Sequence, residues 1–335
     1  MRLHLNENTA GCSPSVIDVL RQLGRADAGF YPDYDDTRQA VADNFRVPAE
    51  YVLLTNGLDE GILAACGAAF RDRRGGVPET LGVAPAFDMY EVCTNALGGR
   101  MVTVPLDRDF THSMASLRDA ITPNTRIVFL ANPHNPSGVP VPLDDLRQLA
   151  RELAPVVLFA DEAYADFSGE TLIDRELFGA IPSLLVGRTF SKAYGIAGLR
   201  AGAVLGSPAA LEPLRQVVPP YSLNAWVTTA LPVVIGDRAY RDWYIGEARE
   251  SRAILGGACA RLGLQTWPSA ANFMLVRVGP DIARIVAALG DKGIRVRDRS
   301  AEAGCEFCIR ITAGLIEDTQ RLVRALEETV CDARH

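Results

Sequence analysis

The chain has 335 residues, of which 48% are hydrophobic, so it is long enough to bury a large core and to form more than one structural unit. Its net charge of −7 offers no basic stripe, which argues against nucleic acid and anionic membranes as partners. No uninterrupted apolar run reaches the ~18 residues of a membrane span, and the N-terminus does not resemble a signal peptide. We therefore expect a cytoplasmic protein.

Apolar runs alternate with amphipathic stretches between residues 50 and 205. Short β-rich runs that alternate with helical patterns are typical of a mostly parallel sheet with helices on both faces, the α/β class. We expect strands at 51–54, 79–84, 99–104, 126–131, 156–160, 183–187 and 201–206.

The pattern changes after about residue 225, where a long charged helical stretch is followed by short strand-like segments at 272–278, 293–298 and 307–314. This change predicts a smaller C-terminal α/β domain. The expected organisation is an N-terminal arm (1–30), a large domain (31–225) and a small domain (226–335).

Seven cysteines at irregular spacing favour reduced thiols over a disulfide framework. Cys305 and Cys308 form a single CxxC, but there is no second pair and the chain has only 4 histidines. A closed zinc site therefore lacks ligands, and we expect buried thiols and no metal.

Polar clusters follow several of the predicted strands, where α/β proteins bind ligands. "NGLDEGI" (56–62) opens a helical pattern and offers backbone amides to an anion, although it could also be a plain helix cap. "NPHNPSG" (132–138) turns sharply, so Asn135 either points an amide at a ligand or only forms the turn. Asp161 ends a buried strand, where a carboxylate is costly without a cation.

"TFSKAYGIAGLR" (189–200) places Lys192 just beyond another strand and ends in Arg200. Alone, this lysine could be a solvated loop residue. Together, however, an amine, a buried carboxylate, an anion cradle and an arginine are what pyridoxal 5′-phosphate requires of a protein. Lysine forms the Schiff base, and the carboxylate keeps the pyridine nitrogen protonated.

The motifs resemble those of the fold-type I pyridoxal-phosphate aminotransferases, and in particular the histidinol-phosphate aminotransferases. They span nearly the whole chain, in the order "NGLDE", "PAFDMY", "NPHNPSG", "DEAY", "TFSKAYGIAGLR", "GIRVRD" and "CIRITAG". The resemblance implies that Lys192 holds the cofactor and later acts as the general base. It also implies that Asp161 pairs with the ring nitrogen, that Asn135 and Tyr164 bond the ring's phenolate oxygen, and that Phe87 stacks on the ring.

The same resemblance assigns the cofactor phosphate to the backbone amides around Leu58 and Asp59, the hydroxyls of Thr189 and Ser191, and Arg200. It further implies a homodimer with shared active sites. In "FYPDYDD", Tyr31 matches a tyrosine that reaches the phosphate of the neighbouring subunit in this family.

Arg310 matches the arginine that clamps a substrate α-carboxylate, and Arg297 matches the residue that contacts the substrate phosphate in histidinol-phosphate enzymes. Surface exposure is the plainer explanation for Arg297. The implied reaction is transamination of histidinol phosphate with glutamate and 2-oxoglutarate as the other amino donor and acceptor.

The sequence departs from the family pattern near its start, and one of these departures keeps other substrates open. The chain begins four residues before "LNEN", without the usual preceding tyrosine segment that helps bind the substrate phosphate, and "NENT" stands where the family usually has "NENP". The absent segment weakens the substrate assignment. Phe87 stands where this family usually has tyrosine, which leaves stacking possible. The alternatives are an aminotransferase for aromatic or other amino acids and an amino-acid-phosphate decarboxylase on the same fold. A non-catalytic pyridoxal-phosphate sensor is a third, weaker interpretation.

Overall fold

The computed structural model describes residues 1–72 and 75–331, so the last four residues of the predicted small domain, 332–335, lie outside the described part. Short 3₁₀ turns lie at Ala49–Tyr51 and Ala197–Leu199. Helices α1 to α14 span, in chain order, Pro14–Leu20, Arg25–Gly29, Asp35–Phe45, Leu58–Ala69, Met89–Ala96, Met114–Asp119, Leu143–Leu153, Ala165–Ser168, Arg175–Ala180, Pro208–Arg215, Ala225–Gly236, Arg238–Arg261, Ile282–Asp291 and Ile316–Cys331.

A 7-stranded sheet forms the centre of the molecule. Its strands β1 to β7 are, in chain order, Val52–Asn56, Glu79–Ala84, Arg100–Pro105, Thr125–Ala131, Val157–Asp161, Leu184–Thr189 and Ala201–Gly206. They lie side by side in the order β1-β7-β6-β5-β4-β2-β3, in which β7 is antiparallel to both of its neighbours and the other pairs are parallel. Each of the seven predicted runs forms one of these strands, which confirms the predicted α/β fold class.

The carboxyl ends of three adjacent parallel strands define the functional edge of this sheet. Ala131 at the end of β4 lies opposite Asp161 at the end of β5, and Asp161 lies opposite Gly187 of β6. The polar loops that follow β4, β5 and β6 therefore meet at one edge, as ligand-binding loops do in open α/β sheets.

Helices cover the sheet through apolar faces that follow the helical period. Helix α7 buries Leu146, Leu149, Ala150 and Leu153, a spacing that places all four on one side of the helix. Asp144 and Asp145 lie in its first turn, where negative charge is favoured by the positive end of the helix dipole. Both the apolar spacing and the charges of this sequence therefore favour the observed helix.

A second sheet has four strands, β8 to β11, which are Gln265–Thr266, Phe273–Arg277, Arg297–Asp298 and Cys308–Thr312. Their order is β10-β11-β9-β8, and neighbouring strands are antiparallel. Residues 1–3 join this sheet: Arg2 forms a parallel bridge with Arg295, and the amide of Thr312 donates to the carbonyl of Leu3 at 2.9 Å. The start of the predicted N-terminal arm thus packs with the C-terminal sheet, and the domain boundaries stay a prediction.

Cys305, just before β11, and Cys308, its first residue, are buried free thiols, as predicted. Among residues 1–72 and 75–331, no helix has the length and apolar character needed to cross a membrane.

Candidate active site

A cavity of about 370 Å³ opens at the functional edge of the central sheet. Loops from distant parts of the chain converge on it, because the parallel strands end at the same edge. Ten of the predicted site residues line this cavity: Leu58, Asp59, Phe87, Asn135, Asp161, Tyr164, Thr189, Ser191, Lys192 and Arg200.

Lys192 reaches the cavity from the loop after β6. Its Nζ donates to the carbonyl of Leu5 at 3.0 Å and lies 5.9 Å from the centre of the Tyr164 ring. The Tyr164 hydroxyl accepts a hydrogen bond from Nδ2 of Asn6 at 3.0 Å. The amine therefore faces the cavity and is held there by the N-terminal segment. The sequence did not predict this contact between Lys192 and Leu5.

Asp161 is a buried carboxylate bonded by neutral donors. Its Oδ1 accepts the amide of Ala163 at 3.0 Å, and its Oδ2 accepts the hydroxyl of Tyr90 at 2.6 Å. Burial raises the pKa of Asp161, and these two hydrogen bonds oppose the rise. A buried carboxylate that accepts hydrogen bonds from neutral donors is suited to pair with a cationic group of a ligand.

Tyr90 is a site residue that the sequence analysis missed, although it lies within the quoted motif "PAFDMY". It lines the cavity, three residues after Phe87. The available signal was indirect: a buried Asp161 needs hydrogen-bond donors, and tyrosine is one of the few side chains that can supply one from an apolar setting.

Arg310 lies beside the cavity, only 7% exposed, and it orients Asn135. Its Nη1 donates to Oδ1 of Asn135 at 2.5 Å, and its Nη2 donates to the carbonyl of His4 at 3.1 Å. Because a guanidinium can only donate, the Asn135 oxygen must face it, which leaves the Asn135 NH₂ group for a ligand. Burial lowers the pKa of Arg310 to about 10, so it stays charged at neutral pH, and its Nε has no partner within the described residues.

An anion cradle lies at the start of α4. Gly57, at φ +74°, precedes the helix and supplies no capping side chain, so the first-turn amides are left for a ligand. A Cβ on Gly57 would come within 2.5 Å of Nη2 of Arg200, and one on Gly202 within 2.7 Å of the Leu58 nitrogen. The backbone contact requires glycine at position 202, and the positive φ favours glycine at position 57.

Cationic and hydroxyl groups complete this cradle. Nη2 of Arg200 pairs with Oδ2 of Asp59 at 2.9 Å, and both side chains are partly exposed. The Thr189 hydroxyl donates to the Ser191 hydroxyl at 3.0 Å, and both line the cavity. A phosphate here would receive amide, hydroxyl and guanidinium donors together.

Besides Arg310, two predicted site residues lie outside the cavity lining. Arg297 is exposed, but it is directly opposite Arg310 in the antiparallel pair β10–β11, so both side chains project from the same face. Tyr31 is 78% exposed, and its ring stacks on that of Tyr221 at 4.3 Å.

Two buried histidines pack behind the Asn135 loop. The Nε2 of His134 lies 2.9 Å from the carbonyl of Pro85 and its Nδ1 lies 2.8 Å from the Ser137 hydroxyl, so this ring ties together the loops after β2 and β4. The His112 ring lies 5.2 Å from the His134 ring. Burial lowers the pKa of His134 to about 3 and that of His112 to about 4.

These depressed pKa values predict a loss of stability in mild acid. Both histidines titrate near 6.5 when unfolded but stay neutral in the folded protein, so their contribution to stability is present above that pH and is lost progressively as the pH falls from 6.5 towards the folded pKa values. Between pH 6.5 and 5 the free energy of unfolding should fall by about 1.6 kcal/mol per histidine. Urea unfolding at several pH values measures this, and His134→Asn should flatten the slope. An unchanged slope in that variant would refute the assignment.

The fold and the cavity define an α/β enzyme in which a lysine, a buried carboxylate and an anion cradle face one another. A family model for aminotransferase class I and II matches residues 1–326. The chain therefore belongs to this family and is a pyridoxal-phosphate-dependent aminotransferase.

Three similar proteins illustrate the relationship. Histidinol-phosphate aminotransferase 1 of Cupriavidus pinatubonensis is 33% identical, over 98% of this chain and 88% of its own length. The histidinol-phosphate aminotransferase of Sinorhizobium meliloti, solved in complex with pyridoxal-5′-phosphate, superposes with a TM-score of 0.87 at 28% identity, covering 99% of this chain and 91% of that one. The L-threonine-O-3-phosphate decarboxylase of Porphyromonas gingivalis has a TM-score of 0.83 at 23% identity, covering 98% of both chains, which shows a shared fold only.

The residues present fit the cofactor. The buried Asp161 accepts hydrogen bonds from two neutral donors, Tyr90 and the Ala163 amide, and the start of α4 has amides without a capping side chain. The first feature suits a protonated ring nitrogen and the second a phosphate.

Proposed function

We propose that the protein transaminates histidinol phosphate, with glutamate and 2-oxoglutarate as the other amino donor and acceptor. The observation that carries this proposal is the convergence of Lys192, Asp161, Asn135 and Arg310 around one cavity. The names of the most similar relatives support the choice of substrate.

Four side chains of the cavity lining would hold the ring of the cofactor. Asp161 would pair with the ring nitrogen, Phe87 would stack on the ring, and the NH₂ group of Asn135 and the Tyr164 hydroxyl would bond the phenolate oxygen. Phenylalanine serves here because stacking needs only the π face.

The phosphate of the cofactor is assigned to the cradle at α4. The amides around Leu58 and Asp59 donate to it, with the hydroxyls of Thr189 and Ser191 and the guanidinium of Arg200. Nη2 of Arg200 pairs with Asp59, and its Nη1 donates to the Ala197 carbonyl at 3.5 Å, so the guanidinium is held at the cradle, where its N–H donors can also serve the anion.

When bound, pyridoxal phosphate withdraws electrons from the substrate Cα and carries the amino group between the two half-reactions. Lys192 would hold the cofactor covalently, and its free amine would move the proton between the substrate Cα and C4′, first as a general base and then as a general acid. Asp161, ionised, would keep the positive charge on the ring nitrogen.

Two arginines divide substrate recognition. Arg310 is pre-oriented by Asn135 and has a spare Nε, so it can clamp the α-carboxylate of glutamate in bidentate fashion. Histidinol phosphate has no carboxylate and is held by its phosphate, which we assign to Arg297, on the same face of the sheet as Arg310.

These two assignments predict that different substitutions impair the two half-reactions. Arg297→Ala should remove one charge-assisted contact of about 1.5–3 kcal/mol, a ~10- to 150-fold loss in kcat/KM for histidinol phosphate, with little effect on glutamate. Arg310→Ala should weaken the glutamate half-reaction first. Stopped-flow spectroscopy of each half-reaction measures both.

Arg261→Ala is a matched control, because this exposed arginine pairs with Glu327 far from the cavity lining. Normal turnover of histidinol phosphate by Arg297→Ala would reject the phosphate contact. Release of CO₂ from an amino-acid phosphate, without transfer of the amino group to 2-oxoglutarate, would reject the proposed reaction in favour of a decarboxylase.

We further propose a homodimer in which Tyr31 of one subunit reaches the cofactor phosphate of the other. An exposed Tyr31, stacked on Tyr221 at the surface, is accessible to a second subunit. The proposal also accounts for the absence of this tyrosine from the cavity lining of its own chain.

Shared sites predict complementation between inactive variants. Co-expressed Tyr31→Ala and Lys192→Ala subunits should regain activity, because one of the two sites in the mixed dimer then has both native residues. Differently tagged subunits, purified through both tags, allow the assay. Mixed dimers no more active than the parent variants, or a fully active monomer at low concentration, would contradict shared sites.

A further inference from the structure

Tyr90 connects three components of the cavity. Its hydroxyl donates to Oδ2 of Asp161 at 2.6 Å, and both side chains are buried. Its ring stacks on Phe129 with a centroid distance of 4.7 Å and an interplanar angle of 5°, and meets the Phe87 ring edge-on at 5.7 Å. These ring contacts fix the orientation of the Tyr90 side chain and therefore the position of its hydroxyl.

The direction of this hydrogen bond is set by electrostatics. Burial and the neighbouring Asp161 charge raise the pKa of Tyr90 well above its usual value, so the phenol keeps its proton at physiological pH. A protonated phenol beside a carboxylate donates, and an O–H···O⁻ bond of this length is charge-assisted. The other carboxylate oxygen already accepts the Ala163 amide.

We propose that Tyr90 is a positioning residue that keeps Asp161 ionised and so fixes the proton on the ring nitrogen of the cofactor. The inference rests on the proposed pairing of Asp161 with that nitrogen, but not on the identity of the substrate. Nothing in the Tyr90 geometry requires contact with the substrate itself.

The reason is the competition between two bases for one proton. The carboxylate and the ring nitrogen share a proton, and each donor to the carboxylate lowers its basicity. With Tyr90 present, the proton stays on the ring, which then withdraws electrons fully. Without Tyr90, the carboxylate becomes more basic and takes a share of the proton, so the ring withdraws fewer electrons from Cα.

The test uses Tyr90→Phe, which keeps the ring packing on Phe129 and removes only the hydroxyl. Reconstituted protein with cofactor labelled with ¹⁵N at the ring should give an NMR signal of a protonated nitrogen. In Tyr90→Phe this signal should move toward the unprotonated position at the same pH, and kcat should fall about 10-fold or more, with a smaller change in KM.

Tyr194→Phe is a matched control: Tyr194 is equally buried, but its hydroxyl contacts Asn44 and Arg241 outside the cavity lining. It should lower thermal stability without moving the ¹⁵N signal. A signal in Tyr90→Phe identical to that of the parent protein would overturn the inference, whatever happens to activity.

A second substitution keeps the test decisive if Tyr90→Phe does not fold. Fluorotyrosine at position 90 retains both ring and hydroxyl and makes the phenol a stronger donor, so the ring nitrogen should remain fully protonated over a wider pH range. A shift toward the unprotonated position would refute the inference. Failure to bind pyridoxal phosphate at all would instead count against the proposed function, which keeps the two failures distinguishable.

Discussion

Replacing Lys192 by alanine should reduce turnover by at least about 10⁴-fold, the largest loss expected from any single substitution in this chain. The variant would lose both the amine that holds the cofactor covalently and the base that moves the Cα proton, and a positioned base alone contributes roughly 10²- to 10⁴-fold. Single-turnover conversion of glutamate, followed by the cofactor absorbance, measures the loss.

Lys292→Ala is the control for this experiment. Lys292 is a surface lysine paired with Glu328, so its loss should leave turnover unchanged. Substantial turnover by Lys192→Ala, without added amine, would show that another group carries the chemistry.

Asp161→Asn should retain much of the cofactor but reduce kcat by roughly 10²- to 5 × 10³-fold. An amide cannot hold the ring nitrogen positively charged, and breaking a buried charge pair costs about 3–5 kcal/mol. Steady-state kinetics together with cofactor content, measured by absorbance, separate loss of chemistry from loss of binding.

Glu162→Gln is a matched control, because Glu162 is the adjacent buried carboxylate but pairs with Arg188 and does not line the cavity. We expect it to lower stability while the protein that remains folded turns over normally. If Asp161→Asn retained near-normal kcat, another group would have to protonate the ring.

Much of the central sheet could be predicted from sequence because its strands are buried on both faces. Such strands appear as continuous apolar runs, and "ETLGVA" and "AGAVLG" match β2 and β7 residue for residue. The two-residue strand Gln265–Thr266 carries too little pattern to be recognised. The bridge between Arg2 and Arg295 was also missed, because isolated pairing between chain ends leaves no periodic signal.

Site residues could be predicted where they follow strands, but their mutual contacts could not. Arg310 bonds Asn135 across 175 positions, and Tyr90 bonds Asp161 across 71. No local pattern encodes such pairs, because they depend on how the sheets and loops pack. The position of Arg297 next to Arg310 could not be predicted for the same reason, because it depends on the register of β10 on β11.

The most direct test of the account concerns the residue that holds the cofactor. Borohydride reduction of the purified protein, after incubation with pyridoxal phosphate, should fix the cofactor to one peptide, and mass spectrometry should locate it on Lys192. The visible absorbance should disappear in proportion to the label. Recovery of the label on a different lysine, or no chromophore before reduction, would contradict the account.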